Sequence, residues 1–206
     1  MKTNRRSFLA GTILLSLPLV FGSYASRGRN QDRHRNTFRW DIISLQPPPP
    51  AAPRDVLPGG IASALTNNGS RITLTGSGTF ELEKPGKVAG GGTFEIHDKT
   101  GALRVSGNYE VTRLVRFEVA PGTTPDGNVD RIAPPETVRA GLAVFEIQYS
   151  DDTAGTLVVS CHLMGTSDAV FEGITATKDF VGFWNREAPA NGVDANRTAF
   201  HSLSDD

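Results

Sequence analysis

One cysteine, Cys161, is all that the 206 residues contain, so no disulfide can form within the chain in any compartment. Helical periodicity is scarce as well: nothing reads as a long amphipathic helix, and Gly59–Leu65 offers a turn or two at most. No apolar run approaches the ~20 residues that a membrane-spanning helix needs. Lys and Arg form no stripe in the later part of the chain, which excludes a nucleic-acid partner as an expectation. Gly-x-Ser-x-Gly is missing, and the glycine-rich stretches lack the following helix that phosphate cradling requires.

What is present is a phrase said twice. Gly76-Ser-Gly-Thr-Phe-Glu-Leu82 returns as Gly90-Gly-Gly-Thr-Phe-Glu-Ile96. In each copy a glycine-rich turn leads into strict alternation, with Phe80 and Leu82, then Phe94 and Ile96, on one side. A period of two marks a half-buried strand, because successive side chains leave a pleated backbone on opposite faces. The phrase recurs as Phe117-Glu118-Val119, Phe145-Glu146-Ile147 and Phe171-Glu172-Gly173-Ile174.

Composition agrees with that pattern. The 22 glycines and 13 prolines are dispersed and punctuate short elements. Candidate strands are Arg71–Thr75, Thr79–Glu83, Thr93–Asp98, Leu103–Gly107, Tyr109–Val119, Val138–Tyr149, Gly155–Leu163 and Val170–Asn185. Turn chemistry separates them at Asn67-Asn68-Gly69, Lys84-Pro85-Gly86, Asp98-Lys99-Thr100-Gly101 and Ser150-Asp151-Asp152. The expected fold is all-β: a single antiparallel barrel of about eight strands, with a β-sandwich as the alternative. Closure is preferred because it removes edges from long apolar strands. The alternation places Phe80, Leu82, Phe94, Ile96, Leu103, Val105, Tyr109, Val111, Val115, Phe117 and Val119 in the core. Phe145, Ile147, Leu157, Val159, Cys161 and Leu163 join them.

The first 60 residues read differently. Residues 1–25 form a targeting segment: Arg5-Arg6-Ser7-Phe8-Leu9, an apolar run from Leu9 to Phe21, and Ser23-Tyr24-Ala25 as a small-x-Ala cleavage pattern ending at Ala25. Arg5, Arg6, Phe8 and Leu9 resemble the twin-arginine signal family, with Asn4 where Ser or Thr is usual and Ala10 where Lys is usual. The resemblance covers only those 25 residues. It implies the Tat translocase as a partner, export in the folded state, and a periplasmic, thylakoid-lumenal or secreted location without a stable membrane span after cleavage. Removing Lys2, Arg5 and Arg6 with the leader leaves 18 basic against 22 acidic residues. Residues 26–60 read as a basic and Pro-rich disordered extension, in which Trp40–Leu45 is one short strand or an anchoring peptide, and Pro47–Pro50 with Pro53 makes a stiff spacer. Residues 61–206 are then the barrel-like domain with a polar C-terminal tail.

Residues able to carry chemistry are few. His97 and His162 could meet Glu95, Glu118 or Glu172 at a metal, but no ligand-spacing motif exists, so no metal or other cofactor is expected. Asp126-Gly127-Asn128-Val129-Asp130 opens like a calcium loop, yet the sixth and twelfth positions are Arg131 and Thr137, and a polar turn is expected. Cys161 and His162 are adjacent on a strand and face opposite ways, so they cannot act as thiolate and base. Ala120–Thr137 is an unusually long connection with four prolines, of the kind that serves as a lid or binding loop, or is a solvated excursion.

Phe180, Trp184, Asn185 and Arg186 are the candidate ligand-binding residues, with the rings stacking a ligand and the polar tips holding it; a packed closing strand reads the same. The Phe171-Glu172-Gly173 phrase and the all-β architecture resemble the allene-oxide-cyclase and dirigent-type barrels, and no catalytic residue is carried over from them. Preferred is an exported, non-enzymatic barrel that binds a small apolar or carbohydrate-like ligand or acts through protein contacts. The alternatives are a cyclase, isomerase or dirigent-like enzyme using Glu95, His97, Glu118, Glu172 and Arg116, and a structural envelope protein. An enzyme needs an ionisable group with a shifted pKa inside its cavity.

Overall fold

The computed structural model describes residues 37–203, which belong to the unit Gln31–Asp206. The leader with Arg5, Arg6, Phe8, Leu9 and Ala25, the basic arm to residue 36 with His34, and residues 204–206 lie outside the described residues. The strands are β1 (Thr37–Gln46), β2 (Arg54–Pro58), β3 (Ala62–Leu65), β4 (Arg71–Leu74), β5 (Ser77–Glu81), β6 (Lys84–His97) and β7 (Leu103–Ala120). After them come β8 (Asn128–Asp130), β9 (Val138–Tyr149), β10 (Ala154–Cys161), β11 (Gly173–Lys178), β12 (Val181–Phe183), β13 (Asn185–Arg186) and β14 (Thr198–Leu203).

Six of these close an antiparallel barrel, in the order β1-β5-β6-β7-β9-β14 and back to β1. The barrel expectation holds at that level; closure takes six strands rather than about eight, and the others extend the sheet outside the ring. β10, β11 and β12 continue from β9 on one side, and β4, β3 and β13 continue from β6 on the other.

The ring interior is filled with aromatic side chains. Phe38, Phe80, Phe117, Phe145 and Phe200 come from five different staves, and Phe80 lies 5.0 Å from Phe117, 5.5 Å from Phe145 and 5.6 Å from Phe38 between ring centroids. Edge-to-face and stacked packing of this kind is favourable beyond the area it buries. A ring this small has room for side chains and little else, so the barrel's centre is core.

Several sequence expectations are corrected. Trp40–Leu45, expected within the extension as one short strand or an anchoring peptide, is a strand, but it belongs to β1 and is a barrel stave rather than part of an extension, with Trp40 and Ile42 fully buried. Its partner β14, from Thr37↔Leu203 to Ile42↔Thr198, replaces the expected polar tail and buries Phe200 and His201. The proline-rich segment after it is not an extended spacer, since it folds the chain back to pair Gln46 with Asp55. Neither end carries a local signal, because the pairing that buries it joins the two extremities of the domain. The glycine triplet 90–92 is not a turn but a bend inside β6, where the strand passes from β5 to β4 as its neighbour. Likewise the expected turn at Lys84-Pro85-Gly86 falls earlier, at Leu82-Glu83, and Glu81 pairs with Lys84.

The inward face of β7 also shifts. Leu103, Val115 and Val119 are exposed, while Leu114 is buried. Register irregularities at Val111/Arg113 and Leu114/Arg116 account for the middle of the strand, since an extra residue reverses which side chains point inward. Phe80, Phe94, Tyr109, Val111, Phe145, Ile147, Leu157, Val159 and Cys161 are buried as the alternation requires.

Candidate functional site

Outside the packed ring, a second, smaller apolar cluster of Ile43, Leu45, Val56 and Ala199, joined by Ile132, forms on the opposite face of β1. Alternation explains it: Trp40 and Ile42 point into the barrel, so Ile43 and Leu45 point out of it. β2 pairs with β1, and β8 pairs in parallel with β2, so the long connection 121–137 is drawn over this outer face. Beneath it lies a cavity of about 300 Å³. Its walls are mainly apolar, from Ile43, Leu45, Val56, Pro125, Val138 and Leu163, and its polar lining includes Asn128, Asp130, His162, Glu172 and Arg197.

Glu172 is the most unusual of these. One carboxyl oxygen accepts the His162 amide at 2.5 Å and the other accepts the Thr198 amide at 2.6 Å. Glu172 thus ties the end of β10 to the start of β14. Burial pushes its pKa up to about 8 and outweighs those donors and the Arg197 charge, which act in the opposite direction. The Thr198 hydroxyl lies 2.7 Å from the Ser160 carbonyl and 3.3 Å from Glu172 Oε1, and it is a donor toward both acceptors.

His162 sits beside it with a defined tautomer. Nδ1 is 2.7 Å from the Val170 carbonyl, which can only accept, so Nδ1 carries a proton. Asp130 is displaced the opposite way from Glu172. Burial alone would raise its pKa, but the His201 hydrogen bond and the amides of Ile132 and Ala133 bring it below the ordinary value. The cavity is therefore bordered by two carboxyl groups whose pKa values are displaced in opposite directions, Glu172 upward and Asp130 downward. Arg197 is fixed by the carbonyls of Val193 at 3.0 Å and Ala195 at 2.9 Å.

Of the candidate catalytic and ligand-binding residues Glu95, His97, Arg116, Glu118, Glu172, Phe180, Trp184, Asn185 and Arg186, Glu172 alone lines this cavity. Glu95 and His97 lie 3.8 Å apart on β6, and Arg116 pairs with Glu118 at 2.8 Å on β7. Those four are on the outside of the sheet, because the inward face is apolar. Phe180 stands exposed at the tip of the β11–β12 hairpin, and Trp184 lies over Gly182. Asn185 donates to Asn67 at 3.0 Å, and Arg186 lies 5.7 Å from the Phe171 ring. None of the four lines the Glu172 cavity.

His162 entered the sequence reading only as a metal candidate, and Asp130 only as a calcium-loop residue. Among the described residues no group of three His, Cys, Asp or Glu is placed to hold a metal ion. Arg197 carries no sequence signal at all, while the length of the 120–137 connection was the one pointer to this face. No family model matches the chain, no curated protein is significantly similar to it, and no solved structure matches its fold.

Proposed function

We propose that the protein is an exported β-barrel that binds a small, largely apolar molecule carrying one hydrogen-bonding group. The observation that carries this reading is the cavity of about 300 Å³ beside the barrel, apolar-walled with Glu172 and His162 among its few polar groups. Ligand sites have this composition: apolar walls supply affinity, and a few placed polar groups fix orientation. A protonated Glu172 offers a proton to a carbonyl, ether or hydroxyl oxygen, and His162 Nε2 offers an acceptor. The pocket lies at the small end of the usual range, so a compact ligand fits better than an extended one.

A second reading, a barrel enzyme of the isomerase type, is favoured by one observation: Glu172 and Asp130 border one cavity with pKa values displaced in opposite directions. Environments that push two carboxyl groups apart create an acid and a base at the same pH. Export rests on Arg5-Arg6-Ser7-Phe8-Leu9 and the Ala25 cleavage pattern, with the Tat translocase as the partner and a mature chain beginning near Ser26.

Native followed by denaturing mass spectrometry of protein isolated from the extracytoplasmic fraction tests both parts. We expect a mature mass starting near Ser26 and a co-purifying small molecule that Thr124→Trp, which fills the cavity from the loop, displaces. A chain still beginning at Met1 would overturn export, and ligand-free protein that takes up nothing from a cell extract would overturn binding. Glu172→Gln separates the two readings: a binder retains the ligand, whereas an enzyme retains it and stops converting it.

A further inference from the structure

A second cavity, of about 530 Å³, opens at the other end of the flanking sheet, where three hairpin tips meet. Thr66, Asn68 and Ser70 come from the β3–β4 turn, Asp151 and Thr153 from the β9–β10 turn, and Lys178 to Val181 from the β11–β12 hairpin. Ile96, Val105 and Phe183 form an apolar floor. Phe180 stands on the rim with 90% of its surface exposed. Asp179 beside it has a left-handed φ of 52°, a conformation that Asp tolerates in turns. The tip thereby holds an aromatic ring out of the core, beside the exposed Val181 that also lines the cavity.

We propose that this cavity is a binding site for neutral pyranosides, with Phe180 as the stacking platform. The reasoning starts from charge. Lys178 is held at 2.5 Å by Asp151, is bonded to Thr153, and lies over the Phe94 and Tyr149 rings at 5.7 and 5.0 Å. Its charge is spent within the protein. Asp179 is left as the remaining formal charge of the lining, and it disfavours phosphate, sulfate or uronate ligands. The polar groups that remain are short and neutral. The Asn68 side-chain carbonyl accepts from Thr66 at 2.6 Å and from the Ser70 amide at 3.2 Å, which fixes the amide plane and directs its NH₂ group away from those partners. A sugar ring matches this combination: its C–H face packs on an aromatic ring and an apolar floor, while its hydroxyls both donate to and accept from amide and hydroxyl groups.

Saturation-transfer NMR against maltotetraose, cellotetraose and triacetylchitotriose, each at about 5 mM so that a millimolar Kd registers, tests the proposal. We expect transfer to the ring C–H protons of at least one glycan. Phe180→Ala and Asn68→Ala should each weaken that binding about tenfold or more, while Phe180→Trp retains it. Both native side chains are exposed, so folding is preserved, and near-identical melting curves check this. Thr124→Trp, in the Glu172 cavity, should leave glycan binding unchanged, which keeps the outcome separate from that of the first site. No transfer to any of the three glycans, or equal transfer with Phe180→Ala, overturns the site. A concentration-dependent dimer in sedimentation velocity that Phe180→Ala abolishes would assign the ring to self-association and overturn it equally.

Discussion

His201 Nε2 on β14 lies 3.0 Å from the Asp130 carboxylate on β8, and both side chains are essentially removed from solvent. This contact fastens the long connection between β7 and β9 to a barrel stave. Its neighbourhood is charged: Arg39 bonds Asp41 through two contacts of 2.7 and 2.8 Å, and Asp41 is also buried. His201 Nδ1 is buried without a partner, so Nε2 makes the one hydrogen bond of this ring.

Asp130→Ala should destabilise the fold by about 1–3 kcal/mol, the cost of leaving a buried polar group unmatched. The loss should concentrate in residues 121–137, read as faster amide hydrogen exchange there than in β9 or β10. The Asp130 pKa is lowered on folding, so its contribution is present above the unfolded value of 3.8 and is lost as the pH falls through the folded one. Wild type should therefore lose stability below about pH 4 by a term that Asp130→Ala lacks.

Glu172 has the opposite sign. Its folded pKa of about 8 stands above the ordinary 4.5, so the native state keeps a proton that the unfolded chain releases. Stability should fall as the pH rises from about 4.5 to 8 and be flat above that, by a few kcal/mol in total. Glu172→Gln cannot titrate and should flatten this part of the profile, as measured by denaturant unfolding at pH 5 and pH 8.5. An unchanged slope in the variant would sink the assignment of a protonated Glu172.

Phe80 is fully buried and packs against the rings of Phe38, Phe117, Phe145 and Phe200. Phe80→Ala should cost about 3–5 kcal/mol, lowering the melting temperature by roughly 6–20 °C. Phe117→Ala should cost less, because Phe117 is only partly buried.

At Gly76, an added Cβ would sit 2.2 Å from the Tyr109 hydroxyl and 3.0 Å from the Trp40 ring. Gly76→Ala should therefore destabilise by about 1–3 kcal/mol through overpacking. Tyr109→Phe removes the clashing oxygen along with its 2.8 Å bond to the Thr75 carbonyl. The double variant should be more stable than the sum of the two single losses, which a double-mutant cycle measures directly.

Alternation alone was enough to read β9 and β10 with their buried faces, because both faces of a strand are written in successive residues. Phe145, Ile147, Leu157, Val159 and Cys161 are where the period of two puts them. All-β architecture, short turns and the absence of a helical layer follow from the same local rules. β7 escaped this reading where it bulges, since the extra residues that reverse its face leave no compositional mark. Closure is a further step away: β1 and β14 are flanked by charged or proline-rich segments, and they become barrel staves only because each pairs with the other and with β5 or β9. The Glu172 cavity is the extreme case. Glu172, His162, Asp130 and Arg197 come from four separate segments, and only the tertiary structure decides that they meet, that burial raises the pKa of one carboxyl group, and that a hydrogen-bonded histidine and two amides lower that of the other.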